Sequence, residues 1–241
     1  VRYVLRLALA LLVVPIAIAC NVPFIPEKGS GNMATESRDM SGFDQVSLDG
    51  VGTLTIEQGD HEALTIEAED NILPLIRTEV RNGRLEIGIR RGTSIQPTRE
   101  IRYHLTMRDI HAIEVDGSAD VESAGIQTDA LTLRLAGSTD ARIDRFAGDR
   151  LTVRISGSGT CSIAGDVTDQ RVEIEGSGEY SAAHLASETA AVDVAGSGDA
   201  TVRVAQTLTV SIAGSGDVQY YGNPSINQRI LGSGRVERAD E

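Results

Sequence analysis

The chain of 241 residues has no tryptophan, a single lysine (Lys28), two cysteines and only 3% aromatic side chains. Each shortage closes off a class of chemistry. Cys20 sits at the end of an apolar amino-terminal run, which leaves Cys161 alone, so a mature chain starting at Cys20 has no intrachain disulfide and no paired-cysteine metal site. The four histidines, His61, His104, His111 and His184, form no His-x-x-x-His or His-x-His pair. There is no Gly-x-Ser-x-Gly elbow and no phosphate loop ending in Gly-Lys. Basic charge is also short: the net charge is −13, and phosphate backbones are repelled by such a chain. The densest basic stretch, Arg77 to Arg108, is interrupted by Glu79, Glu86 and Glu100, so no nucleic-acid partner is expected. What remains is 41% hydrophobic and 24% charged with 25 glycines, the composition of a core-forming protein rich in short strands and tight turns.

Arg2 and Arg6 precede an apolar run from Leu7 to Ala19, broken only by Pro15, and then Cys20. The run is too short for a spanning helix, which needs about 20 apolar residues, and it reads as an export signal. The ending Ala17-Ile18-Ala19-Cys20 resembles the lipobox of bacterial lipoproteins, with Ala17 where leucine is usual. Residues 1–19 are therefore expected to be a signal peptide and Cys20 the site of lipidation, palmitate included, which would partner the protein with a membrane. A plain secretory peptide and an uncleaved anchor are the alternatives. Asn21 after the cysteine, in place of aspartate, favours the outer membrane in a host that has one. Residues 20–41, rich in Pro, Gly, Ser and Asn without a period of 2 or 3.6, are expected to be a flexible tether.

The dominant signal is an internal repeat. Gly-Ser-small recurs at Gly117, Gly137, Gly157, Gly176, Gly196, Gly214 and Gly232, in steps of 20, 20, 19, 20, 18 and 18 residues. Two residues before each glycine stand Val115, Leu135, Ile155, Ile174, Val194, Ile212 and Ile230; four before stand Ile113, Leu133, Val153, Val172, Val192, Val210 and, breaking the column, Gln228. Four residues after come Val121, Ala141, Cys161, Tyr180, Ala200, Val218 and Val236. Alternation on both sides of a glycine corner predicts two half-buried strands per repeat, stacked at about 4.8 Å per coil. A weaker copy spans Val46 to Ile56 with its corner at Gly50-Val51-Gly52. The expected fold is all-β: a solenoid of about seven coils over residues 110–238, preceded by a β-rich section over 42–109 that either continues it or packs on it. Within that section Asn71 to Val80 is expected to hold a helical turn or a further strand, with Pro74 arguing against a long helix.

Phe43-Asp44-Gln45-Val46 leading to Gly50-Val51-Gly52, the stretch Asn82-Gly83-Arg84-Leu85-Glu86-Ile87, and the repeated strand-Gly-Ser-Gly-Asp coils together resemble the family called putative auto-transporter adhesin, head GIN domain, over about residues 42–238. The resemblance implies a bacterial, exported, right-handed parallel β-helix. It carries no catalytic residues over to this chain, and no cofactor.

One constellation of side chains has chemical potential. Three residues after each corner glycine come Asp120, Asp140, Glu179, Asp199 and Asp217, with Thr160 and Arg235 in the remaining places. Stacked coils would align these oxygens, and Ca²⁺ takes 6 to 8 oxygen ligands. The simpler reading is that Ser and Asp satisfy backbone donors at a turn and face water. A carboxylate pair could also serve a polysaccharide-cleaving enzyme, although only Tyr180, Tyr220 and Tyr221 are at hand in the array as sugar platforms. Tyr180, Tyr220 and Cys161 fall in inward columns and read as core. The leading expectation is a non-catalytic envelope protein, an adhesin or scaffold that presents a rigid acidic face to a surface protein or glycan.

Overall fold

The computed structural model describes residues 26–240. The expected signal peptide and the lipidation site Cys20 lie outside the described residues. No α-helix occurs among them; the chain is nearly all strand.

The amino-terminal section contains β1 (Glu27–Lys28), β2 (Met33–Arg38), β3 (Gln45–Gln58), β4 (Ala63–Glu69), β5 (Ile76–Arg81), β6 (Arg84–Ile89), β7 (Ile95–Gln96) and β8 (Arg102–Met107). Asn82 and Gly83 join β5 to β6 with φ of 51° and 78°, the paired positive angles of a two-residue hairpin turn that Asn-Gly adopts readily. Between β4 and β5 the chain takes both forms expected of Asn71 to Val80: Pro74 lies in a single 3-10 turn, Leu73–Leu75, and a strand follows.

β3 is itself a coil. Its first half pairs in parallel with β6, its second half with β8, and its other edge runs in register along β9 (Ala112–Ser123), with Val46 opposite Ile113 and Gly50 opposite Gly117. The section therefore continues into the array as one 16-stranded sheet. The array runs through β10 (Ile126–Gln127), β11 (Ala130–Gly137), β12 (Ala141–Gly157), β13 (Thr160–Gly176), β14 (Glu179–Gly196), β15 (Asp199–Gly214), β16 (Val218–Gly222), β17 (Ser225–Gly232) and β18 (Val236–Arg238), all parallel. The corner glycines pair from coil to coil without a slip. Seven corners enclose six full turns, so the solenoid has about six turns where the corner count suggested about seven.

The reason for glycine at the corner is a backbone contact. At Gly157, with φ of 128°, a Cβ would lie 2.3 Å from the carbonyl oxygen of Gly137 in the coil below. That same oxygen accepts a hydrogen bond from the Ser158 N–H at 2.9 Å. The pattern repeats up to Gly232, whose Cβ would meet the Gly214 carbonyl oxygen at 2.0 Å. Both the angle and the space exclude any side chain.

Inside the coils the apolar columns are closed to water: Val153, Val172 and Leu133 are fully buried, and Cys161 and Tyr180 lie among them as expected. The column opens only at the last coil, where Ile230 is half-buried and Gln228 exposed. A polar last rung is how a solenoid limits end-to-end pairing.

The expected tether does not survive in its described part. Residues 27–28 and 33–38 are strands, with β1 parallel to β7 and β2 antiparallel to β4. What holds them is a buried carboxylate. Glu69 is 1% exposed; its Oε1 accepts from the Gly31 N–H at 2.7 Å and the Thr98 hydroxyl at 2.6 Å, and its Oε2 from the Thr98 N–H at 2.9 Å. Gly29 leaves room for it, since a Cβ there would sit 1.9 Å from Oε2. Arg38 adds hydrogen bonds to the carbonyls of Leu73 and Ile76. β2 buries neither face fully, so its sequence shows no alternation to read.

Three outcomes are expected. By chemical denaturation, Gly157→Ala should cost about 2–4 kcal/mol and Ser158→Ala less than about 0.5. Val153→Asp buries an unpaired charge and should cost about 3 kcal/mol or more, whereas Arg154→Ser, which removes only an exposed ion pair with Glu173, should cost about 0.5. The Thr98 hydroxyl holds the Glu69 carboxyl below its ordinary value of 4.5. The stability it confers is thus complete above that pH and drains as pH falls through the lower folded value. Protection factors of the Gly31 and Thr98 amides should drop on acidification, and Glu69→Gln should abolish that dependence.

Candidate functional site

The acidic column forms a line of positions along one outward edge. Thr160, Glu179 and Asp199 pair directly from coil to coil, and Asp120, Asp140, Glu179 and Asp199 are exposed. Three of the carboxylates are engaged by backbone. Asp140 Oδ1 accepts the Thr160 N–H at 3.0 Å, Asp199 Oδ1 the Asp217 N–H at 2.8 Å, and Asp217 Oδ1 the Arg235 N–H at 2.9 Å. Each reaches the same position one coil further on. The column is therefore a set of staples between coils, in which carboxylate oxygens take the donor that follows the corner. Asp217 Oδ2 also receives Arg235 Nη2 at 3.0 Å, and this contact holds the Asp217 carboxyl below its ordinary value. The side chains of Asp120 and Glu179 make no such bond. Among the described residues, no three His, Cys, Asp or Glu side chains come together as a metal site would require.

A concavity lies elsewhere, where the amino-terminal section meets the first coils. It is an open cleft of about 930 Å³ whose floor includes Gly125 and Gly148 and whose walls carry Asp109, His111, Asp129, Arg145 and Asp149. Gln58, at the end of β3, seals one side: its amide donates to the carbonyls of Arg108 and Gln127 and its oxygen accepts the Gln127 N–H at 2.8 Å. At Gly148 a Cβ would lie 2.1 Å from the Thr128 carbonyl oxygen, so no side chain fits at that position. Asp109, Asp129 and Asp149 are exposed and stand 20 residues apart. That step is the coil period, so the spacing is present in the sequence, but no glycine signature marks it beside the stronger corner repeat. The mixture of carboxylates, a guanidinium, an imidazole and bare peptide groups suits a polar, hydrogen-bonding ligand.

A second surface is the outward face of the longer strand of each coil. Glu114, Arg134, Arg154, Glu173 and Asp193 form one ladder in register. Glu114 takes Arg84 on one side and Arg134 on the other, and Glu173 takes Arg154 at 2.9 Å and Arg171 at 2.8 Å. Small residues flank the ladder, and shallow depressions of about 460, 330 and 210 Å³ lie along it, touching Thr152, Thr189 and Thr209, then Ala136 and Ser156, then Ala195.

Of the tyrosines in the array, Tyr180 is core as expected, whereas Tyr220 and Tyr221 are only half-buried. Tyr180 is fully buried and donates to Gln170 Oε1 at 3.0 Å; the Gln170 amide donates to Ser187 Oγ, which donates to the Arg203 carbonyl, each at 2.8 Å. Burial pushes the Tyr180 hydroxyl and the Cys161 thiol well up from their ordinary values, so neither ionises near neutral pH. The Arg203 guanidinium covers the Tyr221 ring at 4.8 Å.

A model of the family described as putative auto-transporter adhesin, head GIN domain, matches residues 42–224. No curated protein matches the chain in sequence. Among solved structures, a putative adhesin from Bacteroides fragilis superposes with a TM-score of 0.84 at 22% identity, covering 88% of this chain and 99% of its own. A putative lipid binding protein from Parabacteroides distasonis gives 0.75 at 23%, covering 90% and 100%, and a putative adhesin from Parabacteroides merdae gives 0.69 at 21%, covering 88% and 98%. At these identities the likeness is one of fold.

If the column works as staples, Asp199→Ala should lower stability by about 1 kcal/mol while Asp199→Asn, which keeps an acceptor oxygen, loses little. Thermal melting in Ca²⁺ and in EDTA should then superimpose for the parent chain. A calcium-dependent rise in Tm that Asp199→Asn removes would assign the column to a cation instead.

Proposed function

We propose, from the fact that this chain belongs to the putative auto-transporter adhesin, head GIN domain family, that it is a non-catalytic cell-envelope protein that holds a rigid solenoid out to a surface protein or glycan. The observation that carries the reading is the polar cleft of about 930 Å³ at the root of the array, with Asp109, Asp129, Asp149, Arg145 and His111 on its walls. Stacked coils fix these side chains relative to one another, so a partner meets a preorganised surface and ordering costs little on binding. The long outward ladder, with its small flanking residues, extends that surface over several coils. Asp120 and Glu179, whose carboxylates remain available to solvent, add acidic contacts along the other edge.

The anchor belongs to the same reading. Acylation of Cys20, with Asn21 directing the mature protein to the outer membrane where one exists, would retain the domain at the envelope. Palmitate incorporation that a Cys20→Ala variant loses supports the anchor.

A glycan and host-protein binding array tests the function. Asp129→Ala/Arg145→Ala should weaken a bound partner by about ten-fold or more, as removal of two polar contacts in a cleft does, while leaving Tm within a few degrees. Release of reducing ends from acidic or neutral glycans, abolished by an aspartate variant in the cleft or the column, would replace the adhesin reading with an enzymatic one.

A further inference from the structure

Charge is unevenly distributed over this acidic chain. Residues 71–108 hold eight arginines against three glutamates, whereas residues 110–238 hold ten basic side chains against eighteen acidic ones. Half of the arginines in the basic segment are neutralised locally: Arg77 and Arg81 by Glu79 and Glu86, Arg84 by Glu114, Arg102 by Glu67 and Glu100. Arg90, Arg91 and Arg99 are exposed and in no ion pair among the described residues; the Arg90 guanidinium donates to the Pro74 carbonyl. Lys28 is likewise exposed and unpaired.

These four cations meet at one junction. β1 pairs with β7, which sets Lys28 opposite Gln96. The turn bearing Arg90 and Arg91 leads directly into β7, and Arg99 follows it, next to Thr98, which Glu69 ties to the arm at Gly31. Of the acids at this junction, Glu69 is buried, and Glu27 and Asp70 accept hydrogen bonds from the neutral side chains of Asn71 and Ser30 and keep their charge. The arm also starts here. Only six peptide steps separate Cys20 from Pro26, so a lipid on Cys20 would hold the junction within about 20 Å of the bilayer surface.

We propose that Lys28, Arg90, Arg91 and Arg99 form a contact for an anionic lipid surface, so that the amino-terminal section faces the membrane and the coils lead away from it. This orientation rests on the envelope reading above. Its charge logic is that of basic clusters beside a membrane anchor, where each cation near the surface adds about 1 kcal/mol.

The test uses the full chain, sedimented with phosphatidylcholine vesicles and with vesicles containing about 30% phosphatidylglycerol. The apolar run or an acyl chain binds both kinds, so the anionic-to-neutral binding ratio isolates the junction. We expect a ratio of about ten or more, falling to between about one and two in Arg90→Glu/Arg91→Glu/Arg99→Glu and in about 0.5 M salt. The coil variant Arg142→Glu/Arg229→Glu/Arg238→Glu should keep the parent ratio. A parent ratio near one, a junction variant that keeps it, or a coil variant that loses it equally would overturn the proposal. Failure of the anchor reading alone would show differently, as a parent chain that takes up no palmitate label yet keeps its anionic ratio.

Discussion

The structure depends on one repeated contact: the carbonyl oxygen of a corner glycine receives the N–H of the serine one coil further on, and occupies the space where the next glycine's Cβ would be. Stacking at about 4.8 Å permits no side chain at that point. Because each corner is seated on the one below, the register of a coil is inherited by its successor. The apolar residues two and four places before each glycine then face the interior together. A single backbone constraint thereby sets the turn, the register and the core.

The same stacking creates an electrostatic problem, since identical positions in successive coils place like charges close together. Two solutions appear. On the long outward face both signs are present and pair, so Glu114 sits between two arginines and Glu173 takes two more. On the other edge carboxylates follow one another, and Asp140, Asp199 and Asp217 each turn an oxygen to the backbone N–H of the next coil. A row that looks like an ion-binding motif in sequence thus works as a set of intercoil hydrogen bonds. The serines beside it contribute their backbone N–H to the corner.

The amino-terminal section gives the solenoid a defined beginning. β3 is both its first coil and the strand on which β6 and β8 assemble, and Glu69 fastens the arm that precedes it. The cleft arises at this seam because the coils there leave Gly125 and Gly148 uncovered while Gln58 closes the side. Within the section, residues 71–108 form a locally basic stretch, whereas the coils from 110 to 238 carry eighteen acidic side chains against ten basic ones, so the character of the surface changes along the molecule.

How much was legible follows from range. The corner glycines, the buried columns and the break in the column at Gln228 are local patterns written in a repeat, and a period of 18 to 20 residues with glycine corners admits few folds. Those features were determined by the sequence alone. The strands at residues 27–28 and 33–38, the burial of Glu69 and the cleft were decided only by the tertiary structure. Their partners lie tens of residues away: Glu69 meets Gly31 and Thr98, and Gln58 meets Gln127. Neither β2 nor the walls of the cleft have a buried face to impose alternation. Without periodicity, a side chain's role is set by what folding brings beside it, and the linear order of residues does not contain that distance.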